Sequence, residues 1–184
     1  MSKRSWSGRL GAAGAALASL VAPSLAQAEL QPGDVAPVFT APAALAGETF
    51  EFSLEEALAR GPVVVYFYPK AFTRGCTIEA NRFAEAQVEY RALNATVIGL
   101  SGDDIDTLKK FSVEECRNRF AVASDADGSI MKAYGAVMPL LSSYAKRVSY
   151  VVDTDGRIAY AYSSMSPDEH VPNTLQALRA LAKR

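Results

Sequence analysis

Six consecutive apolar residues, Val63-Val64-Val65-Tyr66-Phe67-Tyr68, constrain the fold more than any other feature of the chain. They are β-branched or aromatic and lack the polar alternation of a half-exposed strand, so they fit a strand covered on both faces. A sheet built around such a strand needs a layer of packing on each side. Residues 96–100 read as the next strand. Between the two, residues from about 76 to 93 read as a helix, with Ala80, Phe83, Ala84 and Val88 at roughly helical spacing on an inward face. Strand, long helix and strand in succession predict a right-handed βαβ crossover with two parallel strands.

The rest of the chain supplies further strands and helices. Residues 49–52 read as a short strand, and Ser53-Leu54-Glu55-Glu56 as a capping-box start for a helix ending at Gly61. Ser101-Gly102-Asp103-Asp104 turns into a helix reaching about Cys116, and residues 129–134 form a shorter one. Residues 147–152 are strand-like, Asp153-Thr154-Asp155-Gly156 is a hairpin turn, and residues 157–162 return antiparallel. A final helix over 172–182 carries Leu175, Leu178 and Leu181 on one side. The expected architecture is a three-layer α/β domain, a mixed central sheet with helices on both faces.

The N-terminus reads as a separate piece. Lys3, Arg4 and Arg9 form a positive region, residues 10–25 are apolar and Ala-rich, and Ala26-Gln27-Ala28 fits a small-residue cleavage site. This predicts a secretory signal peptide over 1–28, cut after Ala28, with a single domain over 29–184 and export to the bacterial periplasm. The run is short for a membrane anchor and is interrupted by Gly11, Gly14 and Pro23. Cleavage would remove Trp6, the only tryptophan, and leave 16 basic against 20 acidic residues, a net charge of −4. A mildly acidic chain has no electrostatic basis for binding nucleic acid or anionic lipid, and no stable membrane association is expected once the leader is gone.

The chemistry centres on Cys76, which opens the helix after the 63–68 strand and a loop running from Pro69 to Gly75. The unpaired N–H groups and positive dipole end of a helix N-terminus favour a thiolate. The chain has one other cysteine, Cys116, and in an oxidising compartment the two could form a structural disulfide; spacing alone does not decide. Pro69 could simply end a strand, Thr73 could cap the helix, and Arg147 could be a surface arginine at a strand start. Glu79 in the first turn would suit the helix dipole alone. His170, the sole histidine, sits in Ser166-Pro167-Asp168-Glu169-His170 and reads as a solvated loop residue. No cluster of metal ligands is evident, so no metal is expected.

Taken together, Pro69-x-x-x-Thr73-x-x-Cys76 resembles the active-site signature of the peroxiredoxins. Gly33-Asp34-x-Ala36-Pro37-x-Phe39 resembles their N-terminal entry strand, and Arg147 falls where the family places its active-site arginine. The wording around Cys76 is most similar to the bacterioferritin-comigratory, or Q-type, subgroup. The resemblance implies a thioredoxin-like fold without a cofactor. It also implies a thiol peroxidase for antioxidant defence that reduces hydrogen peroxide or organic hydroperoxides through a cysteine sulfenic acid. By resemblance, Cys76 is the peroxidatic residue, Arg147 holds the thiolate and the peroxide oxygens, and Thr73 with the Cys76 N–H completes the oxygen pocket. Pro69 shields the sulfur and Glu79 stands behind the site. Many Q-type members carry a second cysteine five residues after the first, where this chain has Asn81. Cys116 is then the candidate resolving thiol, against a one-cysteine cycle with an external thiol. A thioredoxin-like protein or a small thiol would be the reductant, and the subgroup favours a monomer. The competing reading is an exported thioredoxin-like thiol–disulfide oxidoreductase. Such a protein uses a Cys-x-x-Cys pair, and Thr73 stands at the first position here. A non-catalytic thioredoxin-fold binding protein would show a broken constellation, and this one is complete.

Overall fold

The computed structural model describes residues 28–184. The expected leader, including Trp6, falls outside the described residues except for Ala28 at the proposed cut. In chain order the described elements are β1 (Thr40–Leu45), β2 (Glu48–Ser53), α1 (Leu54–Leu58), β3 (Val63–Phe67), α2 (Arg74–Glu85), α3 (Gln87–Ala92), β4 (Thr96–Ser101), α4 (Ile105–Glu114), β5 (Ala121–Ser124), α5 (Ser129–Ala133), β6 (Val137–Met138), β7 (Leu141–Ala145), β8 (Val148–Val152), β9 (Ile158–Ser163) and α6 (His170–Leu181).

The apolar run becomes the middle of a seven-stranded sheet, ordered β2-β1-β5-β4-β3-β8-β9, with β6 and β7 forming a separate hairpin. β3 is parallel to β4, with Val65 opposite Ile98, and antiparallel to β8, with Val65 opposite Tyr150. Its side chains alternate between two cores. Val63, Val65 and Phe67 join the layer that holds Leu54 of α1 and Met131 of α5. Val64 and Tyr66, with Tyr68 just beyond the strand, join the layer that holds Phe83, Tyr90, Phe111 and Leu178 of α2, α3, α4 and α6. The expected three-layer arrangement is therefore present, and every residue of β3 is buried on both faces.

Local capping chemistry sets several boundaries. The Ser53 side chain accepts from the Glu56 N–H at the start of α1, and the Asp104 carboxylate accepts from the Thr107 N–H at the start of α4. Asp153 and Gly156 close the β8–β9 turn through the Gly156 N–H to Asp153 carbonyl bond, with Gly156 at a φ of 77° that favours glycine.

Four expectations are corrected. The helix over 76–93 is two helices, because the chain re-phases at Ala86; Val88 then faces outward at 70% exposure, and Gln87 and Tyr90 turn inward. The segment containing Gly33 and Asp34 is not a regular strand. It makes one isolated bridge, Val35 to Arg157, and is tied to the β8–β9 hairpin by the Gly33 N–H to Ile158 carbonyl and Ile158 N–H to Asp34 carbonyl bonds. The last helix starts two residues earlier than expected, since Pro172 sits inside its first turn, where a missing N–H removes no helical bond. His170 is consequently a helix residue and completely buried, not a solvated loop residue.

Candidate active site

Cys76 is the third residue of α2, ahead of the first helical bond, Thr77 N–H to Thr73 carbonyl. The N–H groups of this turn have no partner inside the helix. Its side chain is 1% exposed and belongs to the apolar layer under α2. Arg147, immediately before β8, reaches across from the neighbouring strand and places Nη2 3.5 Å from the Cys76 Sγ. The antiparallel pairing of β3 with β8 sets that approach, because Phe67 lies opposite Val148 and the ends of the two strands coincide.

Two hydrogen bonds and one steric allowance fix the guanidinium. Nη1 donates to the Glu79 Oε2, and Nε donates to the Met165 carbonyl at 3.0 Å. Gly75 gives the allowance: a Cβ there would lie 2.9 Å from Nη2, so the absence of a side chain leaves room for Arg147 beside Cys76. Arg147 is 4% exposed and Glu79 fully buried, so this ion pair sits in a poorly screened environment. Burial pushes the Glu79 carboxyl up to about 8, with Arg147 pulling the other way.

The remaining expected residues are placed differently. The Thr73 side chain is exposed and makes no capping bond to α2; its hydroxyl donates to the Lys70 carbonyl at 2.9 Å. That leaves its oxygen lone pairs as acceptors for an O–H group. Pro69 is half-buried between β3 and the loop. Within that loop Phe72 adopts a φ of 62°, unusual for a bulky side chain, and sets its ring edge-on to Phe111 at 5.2 Å. Cys116 lies just past α4, wholly buried in the same layer as Cys76, and burial pushes its thiol well above the ordinary range. Both cysteines are free. Asn81 bonds the Thr77 carbonyl and the Glu115 Oε2, each at 2.8 Å, beside Cys116.

A cavity of about 300 Å³ opens beside Arg147, lined by Met138, Pro139, Lys146, Ser163, Ser164 and Met165. A larger groove of about 490 Å³, lined by Phe39, Asp125 and Tyr134 among others, contains none of the site residues, whereas the smaller cavity is bordered by Arg147 and not by Cys76 or Thr73. Among the described residues no group of three His, Cys, Asp or Glu side chains is arranged to hold a metal ion. Two contributors went unassigned from sequence, Gly75 and the Met165 carbonyl. The small residue directly before the helical cysteine was a usable signal for the first; a backbone carbonyl carries none for the second.

Comparison with known proteins gives a consistent result. The model of the AhpC/TSA family matches residues 32–161. A chloroplastic peroxiredoxin Q of Oryza sativa subsp. japonica is 36% identical over 121 residues, 65% of this chain and 55% of that protein. The chain thus spans about half the length of the cereal relatives it matches. The crystal structure of peroxidoxin BcpB from Mycobacterium tuberculosis superimposes with a TM-score of 0.75 at 33% identity, covering 83% of this chain and 99% of that one. A reduced 2-Cys peroxiredoxin of Plasmodium vivax shares the fold, with a TM-score of 0.75 at 23% identity, covering 83% of this chain and 82% of that one.

Proposed function

The chain belongs to the AhpC/TSA family, and we propose that it is a thiol peroxidase in which Cys76 attacks the peroxide. The carrying observation is the Arg147 guanidinium, held by Glu79 and the Met165 carbonyl with Nη2 3.5 Å from the Cys76 sulfur. A fixed cation at that place stabilises the thiolate and the negative charge that moves onto the leaving oxygen. The sulfur forms a bond to one peroxide oxygen, the O–O bond breaks, and the departing alkoxide or hydroxide takes a proton to leave as alcohol or water. Cys76 becomes a sulfenic acid. The Thr73 oxygen is suited to accept the peroxide O–H, since its own proton is committed to Lys70.

Cys116 then condenses with the sulfenic acid, releasing water and forming a Cys76–Cys116 disulfide. A thioredoxin-like protein or a small thiol returns the two electrons. The buried, protonated state of Cys116 means this step needs local opening near the end of α4 and the start of α2. The apolar, Ala-rich N-terminal segment supports export with cleavage after Ala28, and the subgroup resemblance supports action as a monomer. A Cys-x-x-Cys oxidoreductase is the weaker reading, because Thr73 stands where its first cysteine is required.

The test is peroxide consumption by the reduced protein. Cys76→Ser should abolish it, and Arg147→Gln should slow the first turnover about a hundredfold. Cys116→Ser should retain the first turnover and lose disulfide formation by mass spectrometry. Undiminished consumption by Cys76→Ser would sink the peroxidase reading, and normal recycling of Cys116→Ser would remove Cys116 from the cycle.

A further inference from the structure

Among the described residues, six that are not glycine have a left-handed backbone: Ala46, Phe72, Asn94, Arg117, Asn118 and Leu140. Three of them flank the sulfurs. Phe72, at a φ of 62°, precedes Cys76 in its loop, and Arg117 and Asn118, at 52° and 58°, directly follow Cys116. In this conformation Cβ crowds the following carbonyl oxygen, so the position is ordinarily left to glycine, and two such residues in succession are rare.

The pair after Cys116 is held by its surroundings. Cys116 is wholly buried and Phe120 is buried four positions later, so the chain must reverse between two fixed anchors as it passes from α4 to β5. The end of α4 is itself irregular. The Cys116 N–H donates to the Phe111 carbonyl, five residues back, at 3.0 Å, and the same carbonyl accepts from the Glu115 N–H. This is a wide, π-type turn. The Asn118 N–H reaches back to the Ser112 carbonyl at 3.0 Å, and the Arg119 N–H to the Cys116 carbonyl at 2.9 Å. The Arg117 and Asn118 side chains are exposed, and Arg117 makes one surface ion pair, Nη1 to the Glu85 Oε1 at 3.1 Å. Backbone bonds and buried neighbours therefore impose the left-handed pair, and the side chains do not require it.

The strained residue on the Cys76 side shares an anchor with this turn. The Phe72 ring sits edge-on to Phe111 at 5.2 Å, and Phe111 is the residue whose carbonyl holds Cys116. Unwinding at Phe111 thus removes restraints from both sulfur segments. A disulfide needs Cα atoms within about 7 Å. Once Cys116 leaves its buried place, nothing keeps Arg117 and Asn118 at positive φ.

We propose that the turn after Cys116 is a loaded element: the left-handed Arg117–Asn118 pair, joined to Phe72 through Phe111, raises the closed dithiol form relative to the Cys76–Cys116 disulfide and so drives the resolving step. This rests on Cys116 being the resolving thiol. In the cycle the Cys76 S–OH and the Cys116 S–H combine into S–S and water. The relaxing backbone contributes driving force to that step and neither atoms nor electrons.

The test is the dithiol–disulfide equilibrium in glutathione buffers, read by mass spectrometry after acid quenching. One glutathione disulfide oxidises the two thiols to S–S and leaves as two glutathione thiols, so no peroxide is involved. Arg117→Gly, which removes the crowded Cβ, should shift the equilibrium towards the dithiol by about fivefold. Arg117→Ala loses the same ion pair but keeps Cβ, and should not shift it that way. Asn118→Val, β-branched where φ is positive, should shift it towards the disulfide by about fivefold. Leu140→Gly relieves an equivalent position in the separate β6–β7 hairpin and should leave the equilibrium unchanged. If Asn118→Val does not unfold cooperatively, the two Arg117 variants decide. Equal equilibria in the parent and Arg117→Gly, or an equal shift in Leu140→Gly, would overturn the loaded element and leave Cys116 as the resolving thiol. A parent that forms no Cys76–Cys116 disulfide in any buffer would remove both. The expected shifts in a protein that consumes no peroxide would count against the peroxidase reading alone.

Discussion

At the scale of single residues, the buried acid and the buried histidine give the protein opposed pH responses. Glu79 titrates near 4.5 in an unfolded chain and about 8 when folded, because burial outweighs the pull of Arg147. Between those values the folded form binds more protons, so this group's contribution to stability is lost as pH rises. His170 moves from 6.5 down to about 4, chiefly through burial, so its contribution is lost as pH falls across that window. Thermal midpoints measured across neutral pH should therefore decline towards about pH 8 in the wild type and decline less in Glu79→Gln; parallel curves would show that Glu79 is not the titrating group. Of the site's residues, Cys76 was legible from its position after an apolar strand, whereas Arg147 was singled out only by the family resemblance, since its place at a strand start fits a surface arginine equally well. The burial of His170 was not legible. It depends on α6 beginning before Pro172 and on Ser149 and Ser164 closing around the ring, contacts spread over separate elements.

Among the elements, legibility followed packing. β3 could be read because burial on both faces makes its sequence uniformly apolar, and β4 from the apolar core of Val97, Ile98 and Leu100. β1 could not, since Thr40-Ala41-Pro42-Ala43-Ala44-Leu45 has little intrinsic strand preference and is a strand because β2 pairs along it and β5 joins at Ala43 and Ala44. Pro42 falls outside the stretch paired with β5. The break at Ala86 hid the true inward face of α3. There Tyr90, not Val88, carries the packing, with its ring 5.9 Å from Phe83 and its hydroxyl 2.7 Å from that of Thr174 on α6. In urea unfolding, Tyr90→Ala should cost about 3–5 kcal/mol by analogy with other buried aromatic truncations. Val88→Lys should change stability by less than about 0.5 kcal/mol. Comparable losses in the two variants would contradict the re-phased helix.

For the molecule as a whole, the two-sided sheet was readable from one hexapeptide, but the ties between loops on its surface were not. Those ties concern the segments that carry the two sulfurs. The Ala71 N–H donates to the Asp103 carboxylate, the Phe72 ring sits on Phe111, and the Asn81 amide donates to Glu115, next to Cys116. Amides at 71–76 and 111–116 should then exchange hydrogen through a shared opening, with matched protection in the wild type that diverges in Asn81→Ala. Unmatched protection in the wild type would mean the segments open independently. The bond made by Asn81 thus has a kinetic meaning: at the position where many relatives keep a partner sulfur, this chain has a latch. In the proposed cycle, opening that latch would free both cysteine segments together and so limit how soon Cys116 reaches a Cys76 sulfenic acid.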